Sequence, residues 1–142
     1  MAKLVLELHD WHRIKPDEGG DLIAEFLFTL VPAAERERGM KPSPSRVFWT
    51  RVRISSDLAS RGRWSTLSRD EKTKAMYRFA VDRITATGRM LRETPMFWRP
   101  GSPLTEGPPW DVSTIAFPKP RPIVFEGPAE EPDVARKAAG LE

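Results

Sequence analysis

Cysteine is missing from the chain altogether, which excludes a disulfide framework, a thiol nucleophile and any thiolate-ligated zinc or iron-sulfur centre. Asn and Gln are missing too, and joint loss of these thermolabile residues is expected of a thermophile's protein. Codon bias in a GC-rich genome competes with that reading: it fits the 16 Arg set against 7 Lys but accounts poorly for the missing Gln, while the five Met run against a thermophilic origin. No uninterrupted apolar stretch has the length of a membrane span, and "MAKLVLELHD" is not built like a secretory leader, so a soluble cytoplasmic protein with no membrane partner is expected. Catalytic signatures are equally scarce. There is no G-x-S-x-G elbow, no Gly-rich phosphate loop ahead of a helix and no H-E-x-x-H.

What is present describes a globular chain. Its 142 residues, 39% hydrophobic and 30% charged, suit one domain with a tail. Residues 3–11, "KLVLELHDW", alternate with period two and predict a strand with Leu4, Leu6 and Leu8 on one face and Lys3, Val5, Glu7, His9 and Trp11 on the other. Residues 22–31 repeat the pattern with Leu22, Ala24, Phe26, Phe28 and Leu30 inward, and the intervening "KPDEGG" has turn chemistry, so the two runs form a hairpin. Pro32 stops the second strand, and the polar stretch after it has room for one helical turn. A third strand over 46–54 points Phe48, Val52 and Ile54 inward and Val47, Trp49, Arg51 and Arg53 outward.

A short helical turn is expected at 56–61. Then "SRDE" reads as a capping box, Ser68 being the N-cap and Glu71 reaching back to it. The helix it opens carries Met76, Phe79, Ala80, Ile84, Thr87 and Leu91 as one stripe and is expected to run until Pro95. The predicted fold is therefore α+β: a small antiparallel sheet, hairpin plus third strand, packed on one long helix across residues 1–94.

From residue 95 to 132 the composition changes, with ten of the fourteen prolines interleaved with Phe97, Trp98, Trp110, Phe117 and Phe125. Such a segment cannot be regular helix, and it reads as an extended arm in which "VSTIAF" and "PIVF" form short edge strands. Residues 133–142 read as a frayed tail. The arm has two uses open to it: packing back over its own domain, or docking on a partner through its aromatics.

"HDWHRIKPDEGGD" holds both histidines of the chain beside four acidic residues. On a strand, His9 faces outward and His12 follows the opposite face, so the pair cannot chelate one metal. Asp17, Glu18 and Asp21 lack the ligand ladder of a calcium loop. The segment is read as a hairpin tip, with no metal, no cofactor and no catalytic residue assigned. A metal-dependent hydrolase using His9, Asp10 and His12 is the remaining enzymatic alternative.

Charge separates along the chain. Residues 1–45 carry 6 basic and 8 acidic side chains, residues 46–99 carry 13 and 5, and residues 100–142 carry 4 and 7. The middle block is strongly basic and includes the third strand and the long helix. It has two readings: a solvated surface whose arginines are neutralised by Glu7 and Glu25 across the strands, or a partner surface combining Arg with exposed aromatics. For the second, the candidate partner-binding residues are Trp49, Arg51, Arg53, Arg78, Arg89, Arg92, Trp98 and Trp110.

In size, composition and domain-plus-tail layout the chain resembles the small transcription regulators encoded by phages of thermophilic bacteria. That resemblance implies a non-enzymatic protein that docks on bacterial RNA polymerase and inhibits or redirects transcription. A direct DNA- or RNA-binding protein with a basic Arg/Trp face is the alternative.

Overall fold

Residues 2–14, 20–102 and 104–127 are described by a computed structural model. The alternating apolar residues of the N-terminus build β1 (Ala2–Ile14), which pairs antiparallel with β2 (Leu22–Pro32); α1 (Ala33–Glu37) follows at once. β3 (Val47–Ile54) pairs antiparallel with the other edge of β2. The chain then passes through α2 (Ser56–Ala59), a 3-10 turn at Gly62–Thr66 and α3 (Arg69–Thr87) before β4 (Glu93–Met96) returns beside β3 in the parallel sense. Parallel neighbours need a crossover of a dozen or more residues, and α3 supplies it. β5 (Ile123–Gly127) closes the opposite edge, antiparallel to β1.

The result is α+β with a five-stranded mixed sheet in the order β4-β3-β2-β1-β5, in place of the expected three antiparallel strands. Of the two extra strands, β4 was not expected, whereas β5 falls on a stretch read as an edge strand. "ETPM" holds a proline and only four residues, a pattern tolerated at an edge but weak as a strand signal. "PIVF" does form the core of an edge strand, β5, whereas "VSTIAF" starts as a 3-10 turn at Val112–Thr114 because the Asp111 carboxylate accepts hydrogen bonds from the N–H and hydroxyl of Ser113. These bonds hold the Asp111 carboxyl below its ordinary value.

α3 begins where the capping box predicts: Ser68 Oγ accepts from the Glu71 N–H at 3.1 Å and Glu71 Oε1 accepts from the Ser68 N–H at 3.0 Å. Those bonds hold the Glu71 carboxyl below its ordinary value. The helix ends earlier than expected, at Thr87. Gly88 takes the left-handed conformation (φ +66°) and its N–H returns to Ile84 O, so the cap ends the helix before Pro95 can, and Leu91 lies beyond it.

One face of the sheet meets α3. Leu4, Leu6, Phe26, Phe28, Val52 and Ile54 are buried against Met76, Tyr77, Ala80 and Ile84, each large side chain contributing about 1.5–3 kcal/mol over exposure. Tyr77 joins the two layers, edge-on to Phe26 at 5.8 Å and stacked with Phe28 at 6.0 Å. The segment beginning at residue 95 packs on the same core: Phe117 stacks on Trp11 at 5.0 Å and meets Tyr77 edge-on at 5.4 Å, while half-buried Trp110 tilts against Phe79 at 6.4 Å. The division at residue 94 falls inside β4. The tail at 133–142 and residues 15–19 of the hairpin tip lie outside the described residues.

Candidate functional site

One extra residue in β1 decides what the outer face of the sheet presents. Leu8 pairs with Phe28, but the next β2 residue, Leu27, pairs with Asp10, so the register shifts by one at His9. A β-bulge of this kind reverses the alternation beyond it. Trp11 and Arg13 therefore turn to the helix face, where Trp11 stacks on Phe117 while Arg13 donates to Thr73 Oγ1 at 3.0 Å and pairs with Asp70. The expected outward Trp11 is corrected on this ground.

The same shift brings both histidines to the outer face, against the expectation that they point apart. His9 Nε2 lies 2.8 Å from Thr29 Oγ1 and 4.0 Å from Glu7 Oε1. His12 Nε2 lies 3.1 Å from Glu25 Oε1, and because a carboxylate only accepts, this nitrogen carries the proton of the bond. Each glutamate also holds an arginine: Arg36 reaches Glu7 at 3.3 Å and Arg51 reaches Glu25 at 3.6 Å. Asp10 turns back to accept from the Trp11 N–H at 2.8 Å. Among the described residues no group of three His, Asp or Glu side chains is arranged to hold a metal ion.

Trp49 stands on this face where β3, beyond the reach of β4, forms the edge of the sheet. It lies opposite Leu27 in the register, meets the His12 ring edge-on at 5.1 Å, and keeps 39% of its surface exposed. Val47, two residues along the same strand face, is exposed as well. On the other side Arg51 pairs with Glu25, and Arg53 pairs with Asp21 at 3.4 Å while Asp21 also accepts from the Ser56 N–H. The face thus combines an exposed aromatic with pairs of matched opposite charges.

Of the sequence candidates, Trp49, Arg51 and Arg53 share this face. The others are elsewhere. Arg78 projects from α3 and pairs with Asp82 at 3.0 Å. Arg89 and Arg92 are exposed in the loop between α3 and β4, with no carboxylate within 4.0 Å among the described residues. Trp98 carries the Arg61 guanidinium over its ring at 4.7 Å, and Trp110 lines a groove beside Phe79. Glu25 was expected on this face opposite the arginines and pairs there with Arg51, whereas His12 was not, since only the bulge places the histidine there. Arg61 was missed because nothing local links it to a tryptophan 37 residues away.

The comparisons identify no relative. No protein-family model, curated protein or solved structure matches this chain. Among the described residues no helix is long and apolar enough to cross a membrane.

Proposed function

We propose that the chain is a non-enzymatic binding module whose outer sheet face docks on a protein partner, with bacterial RNA polymerase as the partner suggested by its size, composition and layout. The observation that carries this reading is Trp49, exposed on a platform made with His12 and bordered by the Arg51–Glu25 pair. A phosphate track uses cations free to displace counterions, whereas the arginines here are already matched by carboxylates. Alternating charge around an exposed tryptophan suits a protein surface, where a few Trp and Arg anchors carry most of the binding energy and the charged rim sets register. On this reading docking alters promoter use or termination by occupying polymerase, without chemistry of its own.

Affinity capture from a thermophile lysate, with and without nuclease, tests it. Polymerase subunits retained after nuclease treatment by the native chain and lost with Trp49→Ala support the proposal. Retention that nuclease abolishes, or that is equal for the variant, contradicts it.

A further inference from the structure

Two cations without a carboxylate partner among the described residues, Arg63 and Arg99, lie near aromatics where the Gly62–Thr66 turn meets the segment after β4. Arg63 donates its N–H to Glu106 O at 2.7 Å, and Arg99 O accepts from the Ser102 N–H at 3.0 Å and from the Thr105 hydroxyl. The first bond ties Glu106 to the turn and the others tie Arg99 to Ser102 and Thr105, so Arg99 is held to the residues that meet Arg63, while Arg61 lies over Trp98 next to Arg99 in the chain. Arg63 and Arg99 are exposed and have no carboxylate within 4.0 Å among the described residues. Arg61 is shared between Asp57, at 3.1 Å, and the ring of Trp98. Trp98 stays 38% exposed beneath it, and the adjacent Phe97 is 60% exposed.

A groove of about 380 Å³ opens beside this cluster, lined among others by Arg63, Leu67, Pro108, Pro109 and Trp110. Two carboxylates also line it, Glu71 and Asp111, but both already accept hydrogen bonds, from Ser68 and Ser113. The carboxylates disfavour phosphate on their side of the groove, and the exposed guanidiniums of Arg63 at its wall and of Arg99 favour it. The indole of Trp110 and the two prolines give the groove a flat apolar wall against which a heterocycle can lie.

We propose that this flank, distinct from the outer sheet face, binds single-stranded nucleic acid: one base stacks at Trp98, Arg63 and Arg99 take the neighbouring phosphates, and the groove beside Trp110 receives a second base. Base stacking on aromatics and backbone attraction to unmatched cations together give sequence-tolerant, salt-sensitive binding. A duplex offers no unstacked base to such a site and binds more weakly.

The test is fluorescence anisotropy of a labelled oligo-dT and a labelled oligo-U with the full chain, each titrated at several salt concentrations, with a duplex of equal length as control. Trp98→Ala is expected to weaken single-strand binding by roughly 5- to 150-fold. Arg63→Glu with Arg99→Glu is expected to flatten the salt dependence by about 1.4 in log–log slope, two phosphate contacts being lost. Both variants alter exposed side chains, and an unchanged thermal melt verifies that they fold. Trp49→Ala on the other face is expected to bind the oligonucleotides normally, so failure here and failure of the protein-docking reading are separable. Absence of binding at low salt, preference for duplex, or native affinity in Trp98→Ala overturns the proposal. So does nuclease-resistant protein capture that depends on Trp98, which makes the flank a protein surface.

Discussion

Trp64 is fully buried, and its indole N–H donates to the carbonyl of Leu104 at 3.1 Å. That bond ties the turn ahead of α3 to the proline-rich segment 40 residues later. Trp64→Ala removes both the ring and the donor, and a loss of about 3–5 kcal/mol in unfolding free energy is expected. Trp64→Phe keeps much of the ring and orphans the Leu104 carbonyl, so a smaller loss of about 1–3 kcal/mol is expected. Urea denaturation measures both.

Gly107 sits against the same turn. A Cβ there comes within 2.5 Å of Arg63 Cβ, and the backbone has φ +134°, outside the range that L side chains favour. Gly107→Ala is therefore expected to lift the segment from the turn at a cost of about 1–3 kcal/mol. Limited proteolysis reads the effect locally, as faster cleavage between residues 97 and 110. Unchanged cleavage and stability contradict the tight packing described.

Much of this architecture was legible in the chain because local chemistry and tertiary packing agree. Leu4, Leu6 and Leu8 alternate and are buried; Ser68 and Glu71 cap the helix they announce. The misses come from effects that local pattern does not encode. The bulge at His9 replaces no residue with an unusual one, so the phase change that turns Trp11 inward and His12 outward is set by packing on Phe117 and pairing with Glu25. The helix was expected to run until Pro95, but Gly88, left-handed and bonded back to Ile84 O, ends it earlier. The charge block was visible as composition, whereas which arginines are neutralised depends on strand register.

Two buried hydroxyls, Thr50 Oγ1 and Thr94 Oγ1, have no hydrogen-bond partner among the described residues. Thr50 lies on β3 and Thr94 on β4, both on the helix face of the sheet. Replacing an unpaired buried hydroxyl with a methyl removes its desolvation cost, so Thr50→Val and Thr94→Val are each expected to raise stability by about 1 kcal/mol. Thermal melts check this, and a lowered midpoint for both variants contradicts it.

Tyr77 is the only tyrosine in the chain, so its titration is readable in isolation. Burial pushes its phenol up to about 12, partly offset by Arg78. The unfolded phenol ionises near its ordinary value of about 10 while the folded one stays neutral. Stability is therefore expected to be unaffected below that point by this group and to fall as pH rises from about 10 toward 12. Phenolate absorbance should stay low in the folded protein at pH 10.5 and appear on adding denaturant; equal absorbance in both states contradicts the burial of Tyr77.

Photo-crosslinking tests whether the outer sheet face around Trp49 meets protein. With benzoylphenylalanine placed at position 49 and, separately, at position 98, the chain is irradiated in host lysate and adducts are analysed after nuclease digestion. Nuclease-resistant adducts to RNA polymerase subunits from position 49, and none from position 98, are the predicted result. No polymerase adduct from position 49, or adducts there that nuclease removes, contradicts the account.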